Sequence, residues 1–62
     1  MTAISHKRPS RILIVEDNPD IAENIADYLE AKGNTLDFAM DGIGGLHLAL
    51  KNDYDVIVLD IM

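Results

Sequence analysis

Arg11-Ile12-Leu13-Ile14-Val15, stopped at Glu16-Asp17, and Asp55-Val56-Ile57-Val58-Leu59, stopped at Asp60, decide the fold. Each is a short, continuous, β-branched apolar run that ends abruptly on acid. Such runs suit strands buried on both faces, as in a parallel sheet. Between them, Asn18-Pro19-Asp20 reads as a helix start, with a capping Asn, Pro at the first helical position and an acid in the first turn. Ile21, Ile25, Tyr28 and Leu29 follow at helical spacing with Glu23, Asp27 and Glu30 opposite, and Lys32-Gly33 closes the helix. Thr35 to Ala39 alternates Leu36 and Phe38 against Thr35 and Asp37, a weaker strand pattern. Asp41 caps a second predicted helix whose apolar stripe is Ile43, Leu46, Ala49 and Leu50, ended by Asn52-Asp53. Gly44 and Gly45 lie inside that helix, and each costs about 1 kcal/mol relative to Ala.

The order β-α-β-α-β implies a parallel sheet with helices on its faces. Placing the first strand between the other two puts the helices on opposite faces. The first and third strands are then buried on both faces, and the alternating second strand becomes an edge. Strand order 2-1-3 opens a flavodoxin-like, doubly wound α/β fold. In it the carboxyl ends of the first and third strands lie about 4.8 Å apart, where open α/β sheets place their ligands. Glu16, Asp17 and Asp60 crowd at that edge. Taken singly, such acids are ordinary loop charges, helix caps or strand ends. Together they repel unless a cation sits among them, and a hard divalent ion such as Mg2+ suits oxygen ligands.

Composition narrows the classes. The 62 residues suffice for one small domain, and they contain no cysteine. Disulfides and Cys-based zinc sites are thereby excluded, and a reducing cytoplasmic setting is the expectation. A net charge of -6 disfavours nucleic-acid binding by these residues. No apolar run approaches the ~20 residues of a membrane span. Residues 1–10 read as a flexible leader, and residues 11–62 as the domain. Gly42, Gly44 and His47 break the G-x-G-x-x-G spacing of a dinucleotide site, and Pro19 and Ile21 spoil a calcium loop beginning at Glu16. His47 and His6 read as surface residues.

Ile12-Leu13-Ile14-Val15-Glu16-Asp17-Asn18, Asp41-Gly42 with Leu46, and Tyr54-Asp55-Val56-Ile57-Val58-Leu59-Asp60-Ile61-Met62 resemble the N-terminal half of a response-regulator receiver domain from two-component signalling. The resemblance covers Arg11 to Met62. It implies the receiver-type version of the fold, truncated to β-α-β-α-β. It also implies Mg2+ held by Glu16 and Asp17, with Asp17 the direct ligand, by Asp60, and by the backbone carbonyl of Met62. Asp60 becomes the phosphoacceptor, and a sensor histidine kinase the phosphoryl donor. A receiver of this kind is not an enzyme toward other molecules; it catalyses only its own phosphorylation and dephosphorylation. The implied parent is a winged-helix transcription regulator that reaches DNA only through a C-terminal domain outside residues 1–62. The family's switch Ser or Thr and its phosphate-binding Lys belong to the second half. Lys32 and Lys51, at helix ends, do not replace them. Gly45 stands where the family usually has Ala, which is expected to weaken the second helix. The alternative expectation is a non-catalytic fragment that forms a homodimer through the exposed edge of its third strand.

Overall fold

Ile12, Leu13, Ile14 and Val15 are sealed from solvent on both sides of the sheet, so their strand is its centre. The computed structural model describes residues 10–60. In chain order these form β1 (Arg11–Glu16), α1 (Pro19–Glu30), β2 (Thr35–Ala39), α2 (Gly42–Lys51) and β3 (Val56–Asp60). All pairing is parallel, with order β2-β1-β3, as the apolar runs predict. The elements agree with the expected ones to within a residue at each end, except that α1 stops at Glu30, two residues short of the expected closing Lys32. Ser10, assigned to the leader, is buried and bonded to the sheet: its carbonyl accepts from the Thr35 N–H at 2.9 Å, and its N–H donates to Asn34 Oδ1 at 2.9 Å. The rest of the expected leader, residues 1–9, lies outside the described residues.

Strand alternation sends Ile12, Ile14 and Val58 to one face and Leu13 and Val15 to the other. On the first face Ile25, Ala26 and Leu29 of α1 pack against them, together with Leu36 and Val56. On the second, Leu48 and Ala49 of α2 and Tyr54 pack over Leu13, Val15 and Ala39. Each fully buried aliphatic side chain of this kind stabilises the fold by about 1.5–3 kcal/mol before entropy is counted.

Asn18 caps α1 as expected, its side-chain Oδ1 accepting from the N–H groups of Asp20 at 2.9 Å and Ile21 at 3.4 Å. Asp41 caps α2 through the Gly44 N–H at 2.7 Å. Gly33, at φ 88, makes the left-handed turn that ends the first helical segment.

Two packing expectations need correction. The apolar stripe expected on α2 faces mostly outward: Ile43, Leu46 and Leu50 are exposed, and the seam against the sheet is Gly45, Leu48 and Ala49. Nor is the third strand buried on both faces. Both helices sit over β1 and β2, so on the α2 side of β3 Ile57 and Leu59 are left 39% and 61% exposed.

Candidate functional site

The parallel register aligns Glu16 at the end of β1 with Asp60 at the end of β3. Both follow the alternation of Ile14 and Val58 and therefore project on the α1 side of the sheet edge. Asp17 leaves β1 directly after Glu16 and is exposed, while Asp60 is half-buried. Of the expected trio, the register sets Glu16 and Asp60 side by side at neighbouring strand ends, and Asp17 follows Glu16 in the bend after β1. The backbone carbonyl of Met62, expected as a further ligand, lies outside the described residues.

Glu16 is the most constrained of the three. Its side chain is buried, with one carboxylate oxygen, Oε1, accepting from the Asn18 N–H at 3.0 Å. That bond favours the charged form, but burial and the adjoining Asp60 and Asp17 carboxyls oppose it. They prevail, and the Glu16 carboxyl is pushed above its ordinary range. The other oxygen, Oε2, is buried with no hydrogen-bond partner among the described residues. An orphaned carboxylate oxygen beside a second carboxylate is costly unless a cation or a proton satisfies it.

Among the described residues, no group of three or more His, Cys, Asp or Glu side chains is placed to hold a metal ion. The donor chemistry nevertheless fits a hard divalent cation. All the side-chain donors are oxygens, one is unsatisfied, and their charges repel.

The opposite edge of the sheet holds a second polar cluster that the sequence motifs did not reveal. Arg11 Nη2 reaches Asp37 Oδ2 at 3.1 Å and Asn52 Oδ1 at 3.0 Å, and its guanidinium lies 5.1 Å from the Tyr54 ring centroid. The Tyr54 hydroxyl donates to the same Asp37 oxygen at 2.6 Å. That bond, followed by the Arg11 charge, outweighs partial burial and holds the Asp37 carboxyl below its ordinary range. Burial first, and Asp37 second, push the Tyr54 hydroxyl upward. The hydrogen-bonded partners are 17 to 41 residues apart in the chain, so no local spacing announces them.

The Response regulator receiver domain family matches residues 12–62. Over 52 residues the chain is 46% identical to the transcriptional regulatory protein HprR of Escherichia coli (strain K12), covering 84% of this chain and 23% of that one. Over the same length and shares it is 48% identical to the transcriptional regulatory protein DltR of Streptococcus agalactiae and 44% identical to CusR of Escherichia coli (strain K12). The chain therefore spans under a quarter of the length of these relatives. No solved structure matches it at a significant level. No helix among the described residues is long and apolar enough to cross a membrane. A family match over nearly the whole folded segment, on a parallel β2-β1-β3 sheet with acids at neighbouring strand ends, makes this chain a member of the response-regulator receiver domain family.

Proposed function

We propose that the chain is the phosphoacceptor part of a two-component receiver, with Asp60 taking a phosphoryl group from the phosphohistidine of a sensor kinase. The observation that carries this reading is the pairing of Asp60 with Glu16, whose buried Oε2 has no partner among the described residues. An Asp60 carboxylate oxygen attacks phosphorus, the donor P–N bond breaks, and its electron pair returns to the imidazole. An acyl phosphate forms on Asp60. Asp17 and Asp60, with Glu16 behind them, are the described residues that would hold Mg2+. Bound there, Mg2+ supplies neutralisation of the charge gathered on the transferring group. Glu16, fixed by the Asn18 N–H, keeps the acidic edge oriented while the exposed Asp17 remains free to meet solvent.

The parent protein is read as a cytoplasmic transcription regulator, by similarity to HprR, CusR and DltR, each named as a transcriptional regulatory protein. DNA would be bound by other parts of such a parent. The test uses a small-molecule phosphodonor, with intact mass as the readout. A Mg2+-dependent gain of one phosphoryl group is expected, at low occupancy because these residues include no phosphate-binding Lys at the acidic edge. Asp60→Asn abolishes the gain. An equal gain in Asp60→Asn, or stable and efficient labelling without Mg2+, contradicts the reading.

The exposure of Ile57 and Leu59 on the outer strand favours a second reading, self-association through the β3 edge. Sedimentation of the chain decides it, since a folded monomer at high concentration removes that reading.

A further inference from the structure

The apolar pattern of β3 does not specify its own register. A slip by one residue would exchange the two faces and is opposed by burial. A slip by two is different. Val56 and Val58 share one face, Ile57 and Leu59 the other, so the two-residue slip that sets Val58 opposite Glu16 keeps each of these side chains on its own face, whereas the opposite slip would bury Asp60 beside Ile14. Ile57 and Leu59 are also partly exposed and add little to discriminate positions. The consequence at the site is large. In place of Asp60, Val58 would stand beside Glu16, and Asp60 would be displaced by about 6.6 Å along the sheet.

Specific polar contacts at the other end of the strand select the observed register. The Asp55 N–H donates to the Arg11 carbonyl at 2.8 Å, and Asp55 Oδ2 accepts from the Arg11 N–H at 2.8 Å. In that slipped register Asp53 would stand where Asp55 does, and its carboxylate offers the same acceptor. Tyr54 removes that degeneracy. Its hydroxyl reaches Asp37 on β2 and its ring lies under the Arg11 guanidinium when Val56, two residues on, pairs with Ile12. Arg11 also holds Asn52, whose side-chain N–H donates to the Leu48 carbonyl at the end of α2. One guanidinium thus joins β1, β2, the α2 C-cap and the start of β3.

We infer that Tyr54 and Asp55 are positioning residues that act from the far end of the sheet to set the β1–β3 register and so place Asp60 beside Glu16. The inference rests on the receiver reading for what Asp60 does, but its structural readout does not. Nuclear magnetic resonance couplings across hydrogen bonds identify which β3 amide pairs with which β1 carbonyl. The bond from the Thr35 N–H of β2 to the carbonyl of Ser10, just before β1, serves as an internal control. Losing one such bond is expected to shift the ratio of native to slipped register about fivefold. The double variant Tyr54→Phe/Asp55→Ala should therefore show a second set of β3 amides with the control bond intact. Asp55→Asn, which keeps the acceptor oxygen, should restore a single native set. Asp60 labelling by a small phosphodonor should fall in the double variant and recover in Asp55→Asn.

A single native set of β1–β3 couplings in the double variant overturns the inference, as does a slipped register with undiminished labelling of Asp60. If the double variant loses the control bond too, Asp55→Ala alone is read by the same couplings, and an unshifted set there overturns it. A parent chain that takes no phosphoryl group overturns the receiver reading, and the couplings still decide the register.

Discussion

At Gly45 the missing side chain is what lets α2 approach the sheet. A Cβ built there would lie 2.8 Å from Val15 Cγ2, inside any ordinary contact, and Val15 is a β-branched residue sealed in the core. Overpacking of this kind costs about 1–3 kcal/mol, while replacing a helical Gly with Ala returns about 1 kcal/mol. Gly45→Ala should therefore lower stability in urea denaturation, even though the sequence alone casts this glycine as a weakness. Val15→Ala should make the same substitution favourable; a Gly45→Ala protein at least as stable as the parent contradicts the packing account. Glu16 carries the other prediction at this scale. Glu16→Gln removes one of the crowded charges and should raise the denaturation midpoint in metal-free buffer. It should also shrink the stabilisation that added Mg2+ gives the parent, and an undiminished Mg2+ response would separate Glu16 from the cation.

Among the elements, β1 was legible because Ile12 to Val15 is apolar throughout and both flanks are polar. α1 was legible because Asn18-Pro19-Asp20 and Gly33 mark its two ends in residue types that few other conformations favour. The α2 ends were equally clear, but its buried face was not. Glycine carries no hydrophobic signal, so a seam built on Gly45, Leu48 and Ala49 is overshadowed by Ile43, Leu46 and Leu50 on the exposed side. For β3 the continuous apolar run suggested two buried faces, whereas the helices over β1 and β2 leave one of them open. The acidic edge could be anticipated, because Glu16 and Asp60 each end a strand whose position follows from topology. The cluster of Arg11, Asp37, Asn52 and Tyr54 could not, because only the folded register brings it together.

On the scale of the whole molecule, that cluster ties three strands and a helix end, so its ionisation should be visible in global stability. Asp37 is held below its ordinary value near 3.8. Its contribution is present above that pH and lost as pH falls through the lowered value. Tyr54 is pushed above its ordinary value of 10.0, so its contribution is present below that pH and lost as pH rises through the raised value. Stability measured against pH should thus carry an acid and an alkaline shoulder from this cluster. Tyr54→Phe should remove the alkaline shoulder and weaken the acid one, and a profile unchanged by Tyr54→Phe contradicts the assignment. The acidic edge at the other end of the same strands gives the molecule its proposed activity, and the most direct measurement is where a phosphoryl group lands. Reduction of the acyl phosphate with hydride converts the modified aspartate to homoserine, which peptide mass spectrometry locates. The account predicts homoserine at position 60 and nowhere else; homoserine at Asp17, Asp53 or Asp55 with position 60 unmodified would contradict it.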